Sequence, residues 1–464
     1  MNSPIATACD LLASIIPKGV TVPDNSSRYQ SEQEKSWSQT CWLPASCFVR
    51  PSNTTDVAAV LDVVKKTGCK FAIRSGGHNA NPNFSSDESG VVIDLCDLKS
   101  LSLDDDRILH AGAGNRWGEV YTYLEEKNLS VVGGRQRDVG ISGYLLGGGM
   151  SAFPNLYGLA VDSVKNFEVV LSDSTIVNAN AETNPDLFLA LKGGNANFGM
   201  FLSLHIRIVT RFDIQTHPNT NAQFTVNLYD PSDYANILRA TVEVQEAMER
   251  DPKYGIFVNF NPTFVAVGLF YAAAADEKPE AFNSFFNLGS LITTVASNTH
   301  GTIKSLVEAL GPTADPARRQ VATATSKISY KVVSKYPVIK TLFYAIQPVS
   351  TTMVKAGEDR GGNIMGIKRT PQTWWALFAE WADPAHDATA QQALDELLDG
   401  IERIAREHGQ FLEFVFPNDA KFSQNVLESY GPENVKKLRD AAAKYDPEQV
   451  FQRLQNGGFL LRDV

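Results

Sequence analysis

Three glycine-rich stretches in the first half of the chain are the residues most able to do chemistry. The first is Arg74-Ser75-Gly76-Gly77-His78-Asn79, the second runs from Gly140 to Gly149 as Gly-Ile-Ser-Gly-Tyr-Leu-Leu-Gly-Gly-Gly, and the third is Lys192-Gly193-Gly194-Asn195-Ala196-Asn197-Phe198-Gly199. Glycine lets a backbone turn tightly and approach a ligand closely. Successive N–H groups in such turns make anion-binding concavities. Taken singly, each stretch reads equally as a tight turn. Three of them together point to a large phosphate-bearing ligand such as a dinucleotide. The common fingerprints for one are missing: Gly112-Ala113-Gly114-Asn115-Arg116-Trp117-Gly118 has a residue too many for G-x-G-x-x-G, and no stretch ends in Gly-Lys-Ser/Thr. A plain Rossmann domain and a nucleotide hydrolase are therefore not expected.

The elements that must hold these loops can be read from periodicity. Phe48 to Arg50 is a short strand ended by Pro51, and Asn53-Thr54-Thr55-Asp56 caps a helix through Val57, Val60, Leu61 and Val64. Lys70 to Arg74 is a strand that runs into the first glycine stretch, and Val91 to Leu95 and Ile108 to Ala111 are strands. Trp117, Val120, Tyr121 and Leu124 mark one helix face. Val164 to Val177 reads as a hairpin about Ser172-Asp173-Ser174. Leu202, Leu204, Ile206 and Ile208 alternate with Ser203, His205 and Arg207, which puts His205 on a polar face with no chemistry to do. After residue 211 the pattern changes to strands at Phe224 to Leu228 and Ile256 to Tyr271, a strand in the aromatic run Trp374 to Trp381, and a helix from Ala388 to His408. Trp374, Trp375 and Phe378 read as core rather than pocket. From Phe411 a strand, a loop and a helix from Glu433 to Lys444 are expected, returning toward the first block.

At 464 residues, 43% hydrophobic and 20% charged, two domains are expected. A net charge of -10 without a basic stripe argues against a nucleic-acid partner, and no apolar run reaches the roughly 18 residues a membrane span needs. No metal is expected. Ala6 to Ile16 holds Asp10 and follows no basic residue, a poor signal peptide. The chain is then either intracellular or secreted with its leader removed. All five cysteines, Cys9, Cys41, Cys47, Cys69 and Cys96, fall in the first hundred residues, as one or two staples or as buried thiols.

Arg74-Ser75-Gly76-Gly77-His78 resembles the R-S/G-G-G-H loop of the vanillyl-alcohol oxidase superfamily. The second stretch, with Ser151, Tyr157-Gly158 and Asp162 behind it, the third stretch, and the later Tyr430-Gly431 and Tyr445-Asp446-Pro447 with Val450-Phe451 are similar to motifs of its berberine-bridge-enzyme-like branch, in fungal form. The resemblance spans almost the whole chain. It implies an α+β, two-domain flavoprotein: an FAD-binding domain of residues 1–210, a substrate domain of residues 211–410 with an antiparallel sheet and helices on one side, and a segment of residues 411–464 returning to the first domain. It also implies FAD attached covalently through a ring nitrogen of His78; a neutral imidazole is a good nucleophile, and the preceding glycines leave room for a ring edge. The expected cofactor contacts are Arg74, Ser75, Gly76, Gly77, His78 and Asn79, then Val139, Gly140, Gly143, Leu145, Gly147 and Gly148, then Gly194, Asn197, Phe198 and Gly199, with Asn418 near the end.

Three departures bear on chemistry. Gln136 stands where many relatives attach the flavin a second time through cysteine, so attachment should be single. Tyr144 stands where His is common, either beside the flavin or in a packing role. Asp419 follows Asn418 where sugar-oxidising relatives place a Tyr as the presumed base. A carboxylate with an ordinary pKa near 3.9 accepts a proton usefully only if desolvation raises that value. Asp419 can also pair a cationic substrate, or be an exposed residue of the turn Pro417-Asn418-Asp419-Ala420. The expected reaction is hydride transfer from a small secondary-metabolite alcohol, phenol or amine to FAD, with O2 as acceptor and Asp419, Tyr144 and Gln136 as site candidates. An oligosaccharide oxidase, a redox-neutral cyclase and a mere flavin carrier are the alternatives. Oligomeric state is not readable.

Overall fold

The computed structural model describes residues 4–23, 26–195, 208–218, 221–273, 277–311, 319–324, 336, 338–339 and 341–464. The expected contacts Asn197, Phe198 and Gly199, and His205, lie outside the described residues.

The chain begins with a helix, Pro4–Ile15, stapled to the first sheet by a Cys9–Cys47 disulfide, while Cys41, Cys69 and Cys96 are thiols. That sheet has four strands in the order Val20–Thr21, Cys47–Val49, Val91–Asp94, Phe71–Arg74, with the last three parallel. Their continuous apolar runs suit strands covered on both faces. The helix Thr54–Thr67 covers one face with Val57, Val60, Leu61 and Val64, capped by Asn53 accepting from the Asp56 N–H and ended by Gly68 at φ 65. A second, antiparallel sheet follows in the order Leu101–Leu103, Ile108–Gly112, Ile208–Gln215, Val164–Val170, Ile176–Asn180, with the expected hairpin at Ser172-Asp173-Ser174.

The third sheet carries the far wall of the site. Among the described residues it is antiparallel with seven strands: Leu291–Gly301, Ala222–Tyr229, Val265–Tyr271, Tyr254–Phe260, Thr341–Val349, Gln372–Trp381, Arg319–Ala324. Successive side chains point to opposite faces of a strand. Ile256, Val258, Ile346, Leu377 and Ala379 are buried in the clusters to which the helices Tyr234–Arg250 and Asp387–Glu407 contribute Ile237, Val244, Leu394 and Leu397. The alternate residues, among them Phe257, Asn259, Phe343, Gln347 and Phe378, point the other way, toward a cavity.

Residues 411–416 form no strand, contrary to expectation. The segment is anchored by side chains instead of a ladder: Phe414 and Phe416 pack on Trp374 with ring centroids 5.2 and 4.7 Å away. That contact seats the short turn Pro417–Asp419. After the helix Pro432–Tyr445, Gln455 bridges Phe71 and the Asn456 N–H donates to the Phe71 carbonyl at 2.8 Å, so the chain end lies against the first sheet. No described helix is long and apolar enough to cross a membrane.

Candidate active site

The fold brings the three glycine stretches together. Gly76 and Gly140 abut so closely that a Cβ on either would collide with the backbone of the other. Ser75 Oγ and Ser142 Oγ both donate to the Ala113 carbonyl, at 2.7 and 2.6 Å, which ties the first stretch to the second. The second is not only a turn: Ile141–Leu146 is a short helix ending in the glycine triplet. The Asn195 N–H donates to the Leu146 carbonyl at 3.1 Å and joins the third stretch to it. Asn418 clamps the second stretch from the far end of the chain. Its Oδ1 accepts from the Gly149 N–H at 2.9 Å and its Nδ2 donates to the Gly143 carbonyl at 3.1 Å. Any side chain at Gly147 would strike this amide.

The other expected contacts fall in different places. Arg74 turns into the protein, ion-paired to Asp94 at 2.8 Å and Glu32 at 3.0 Å, so its guanidinium holds the loop from beneath instead of facing a ligand. Leu145 is fully buried in the core, whereas a Cβ at Gly143 would meet open space. Asn79 caps its own loop, accepting from the Asn81 N–H at 2.8 Å. Gly77 takes the left-handed φ of 67, which glycine adopts without strain, and sends the chain to His78. Val139 leads into the second stretch, its carbonyl accepting from the Trp117 N–H at 3.0 Å, while Gly148 and Gly194 are buried. The His78 side chain keeps 18% of its surface, its ring is stacked on Trp37 at 5.6 Å, and its Nε2 lies 3.3 Å from the Asp138 carboxylate.

A cavity of about 200 Å³ lies between the segment of Arg135 and Gln136, Leu310, the third sheet and Asp419 of the 417–419 turn. Phe257, Phe343 and Phe378 form an aromatic wall, with the Phe343 and Phe378 rings stacked at 4.6 Å. Phe378 is therefore a pocket residue, correcting the expectation that it belongs to the core. Trp375 is buried against Tyr344, and Trp374 is taken up by Phe414 and Phe416, as core residues. The polar lining is Arg135, Gln136, Asn259, Gln347 and Asp419.

Asp419 is half-buried. Burial pushes its carboxyl up to about 6, and the Arg135 charge holds it back from rising further. Burial lowers the Arg135 guanidinium, which Tyr144 and Asp419 partly oppose. Gln347 joins the two: its Oε1 accepts from Arg135, and its Nε2 donates to Asp419 Oδ2 at 3.5 Å. Burial also raises the Tyr144 phenol, which donates to the Met150 carbonyl at 2.6 Å and packs edge-on against Trp117. Tyr144 is thus kept protonated and already committed as a donor. Gln136 Oε1 is buried without a hydrogen-bond partner among the described residues, an acceptor left over for a ligand N–H.

These residues fit a large flat cofactor. The loops of Gly76 and Gly140 meet backbone to backbone with no room for a side chain, the Gly143 position opens onto free space, an imidazole stands two residues after Gly76, and Gln136 offers an unused acceptor and no thiol. Sequence reasoning did not single out Arg135, Gln347, Asn259, Phe257 or Phe343. For the four strand residues the only signal is an alternation whose facing partner is unknown until the chain folds, and Arg135, in the loop before the second glycine stretch, carries none.

Comparison with known proteins agrees. A family profile described as an FAD binding domain matches residues 45–180. Over 94% of its length the chain is 38% identical to an FAD-dependent monooxygenase of Arthrobotrys oligospora, covering 86% of that protein. It is 33% identical to the FAD-dependent monooxygenase macF of Penicillium terrestre over 98% of this chain and 89% of that one. Among solved structures, the glucooligosaccharide oxidase of Acremonium strictum, named with a 6-S-cysteinyl, 8α-N1-histidyl FAD, aligns with a TM-score of 0.78 over 98% of this chain and 99% of that one, at 16% identity. That likeness shows the mixed α+β fold with its antiparallel sheets.

Proposed function

Since the chain belongs to the family of the fungal FAD-dependent monooxygenases and carries an FAD binding domain, we propose that, as its resemblance to the berberine-bridge-enzyme-like oxidoreductases implies, it holds FAD covalently through His78 alone and oxidises a small secondary-metabolite alcohol, phenol or amine. The observation that carries the reading is Asp419, a carboxylate raised to about 6 at the edge of an aromatic-walled cavity. Bound FAD supplies a hydride acceptor that O2 can reoxidise.

The protein's own residues do the rest. Asp419 is ionised at neutral pH yet proton-hungry enough to take the proton of a substrate hydroxyl or amine, because an effective base has a pKa near the working pH. The wall of Phe257, Phe343 and Phe378 takes up an apolar, flat substrate and excludes water from the carboxylate. Gln136 Oε1 accepts from a ligand N–H. The backbone of Ser75 to Asn79, Val139 to Gly148 and Gly194, pinned by Asn418, holds the cofactor, and Asp138 orients the His78 ring. Asp419 in place of a phenol base, together with the phenyl wall, disfavours oligosaccharides. The relatives' names as monooxygenases favour a second reading, in which an oxygen atom of O2 ends in the product.

The test begins with acid precipitation, after which the yellow colour should stay with the protein. Peptide mass mapping should place one FAD on the His78 peptide and none on a cysteine; free FAD released intact would overturn the covalent reading. An anaerobic screen of alcohols, phenols, amines and sugars for bleaching of the flavin spectrum then identifies the substrate. If no compound that is turned over bleaches the flavin, a redox-neutral cyclase or a carrier is the better description. Oxygen-18 from O2 in the product would establish the monooxygenase reading.

A further inference from the structure

Gln347 stands between two charges that would otherwise meet. It lies on the strand Thr341–Val349, 7% exposed, and reaches Arg135 from the first part of the chain and Asp419 from the last. A guanidinium has no acceptor, so Arg135 forces the Gln347 oxygen toward itself. The amide nitrogen is thereby left facing Asp419 Oδ2 at 3.5 Å. Among the described residues Arg135 and Asp419 form no direct ion pair, although each feels the other's charge. The remaining titratable group that faces them, Tyr144, has its hydroxyl tied to the Met150 carbonyl.

Resting on the reading of Asp419 as the base, we infer that Gln347 is a positioning residue, an amide spacer that keeps Arg135 near Asp419 but off it, so that Asp419 remains able to take a proton. A direct guanidinium–carboxylate pair is short and strong. It lowers a carboxyl pKa by about one to three units, which would leave a poor base. The spacer retains part of the Arg135 charge to steady the ionised carboxylate and prevents collapse into a full pair.

Two substitutions should move Asp419 in opposite directions, which a merely structural role for Gln347 would not do. The measurement is an infrared pH titration of the flavin-loaded protein, following the protonated-carboxyl stretch that disappears in Asp419→Asn. The wild-type midpoint is expected at about 6. Gln347→Ala frees Arg135 to pair with Asp419, and the midpoint should fall by about one unit or more. Gln347→Glu takes Arg135 for itself and sets a second carboxylate beside Asp419, and the midpoint should rise by about one unit or more. Adding Arg135→Met to Gln347→Ala should cancel the fall. Midpoints that stay near the wild-type value, or move the same way in both single variants, overturn the spacer alone. A wild-type midpoint at the ordinary carboxylate value overturns the reading of Asp419 as the base, and the spacer with it.

Discussion

Arg74 and Arg135 each bring a guanidinium up to an aspartate, and the two clusters are built in opposite ways. Arg74 is saturated: Nη2 pairs with Asp94 at 2.8 Å and Glu32 at 3.0 Å, Nη1 donates to the Glu32 carbonyl at 2.7 Å, and Lys35 adds a contact to Glu32 at 2.6 Å. Burial pushes the Asp94 carboxyl up, but Arg74 and Lys35 more than reverse this and leave it below its ordinary value. Arg135 meets Asp419 only through an amide, and there burial wins. One arrangement spends its charge on holding a loop in place. The other leaves a carboxylate with proton affinity in reserve, beside a cavity.

The largest expected contrast is in stability. Removing one partner of a saturated buried cluster strands the others, at a cost of about 3–5 kcal/mol. Arg74→Met should therefore lose about that much in chemical denaturation, whereas Arg135→Met should lose only about 1–2 kcal/mol, since it removes a hydrogen bond to Gln347 but breaks no direct ion pair. Equal losses would break the comparison.

The aspartates should then respond with opposite sign. A carboxyl whose folded-state pKa exceeds its unfolded value opposes folding once ionised. For Asp419 the penalty is absent below the unfolded value near 3.9 and complete above about 6. Asp419→Asn should thus stabilise the protein at pH 7 by about 2 kcal/mol, at 1.4 kcal/mol per unit with an allowance for partial exposure, and the gain should vanish near pH 3.5. Asp94 has a depressed pKa and contributes stability above its unfolded value, lost as pH falls through the folded one. Asp94→Asn should accordingly destabilise at pH 7. Denaturation midpoints at the two pH values check both signs.

The smallest effect concerns the cavity wall. Phe378→Leu breaks the 4.6 Å stack on Phe343 and should weaken substrate affinity about five- to tenfold, the scale of one aromatic pair, while the limiting rate of flavin reduction changes little. A loss confined to the rate would mean that Phe378 orients the reacting bond instead.

The cofactor side of the molecule was legible because its signals are local. Glycines, a histidine and their order along the chain specify a loop chemistry before any folding is known, and the hairpin at Ser172-Asp173-Ser174 and the helix capped by Asn53 are likewise local. The substrate side was not. Phe257, Phe343 and Gln347 sit on strands whose alternation says that one face is buried, without saying whether a helix or a cavity covers it. Phe378 was read as core for that reason. Arg74 sits within the cofactor motif, yet its charge is claimed by Glu32 and Asp94 from distant segments. Asp419 in a turn suggested exposure, and only the packing of Phe414 and Phe416 on Trp374 shows how that turn is pressed against the cavity.

The central claim is that Asp419 takes the substrate proton, and anaerobic stopped-flow reduction of the flavin, followed against pH in wild type and Asp419→Asn, tests it most directly. With a substrate found by the bleaching screen, the wild-type limiting rate should rise through a midpoint near 6. In Asp419→Asn the rate should fall by about two to four orders of magnitude, the usual contribution of a general base. The deficit should narrow at high pH, where the substrate loses its proton unaided, and flavin content should be unchanged. Equal limiting rates in the two proteins, or a loss confined to substrate affinity, would contradict the claim.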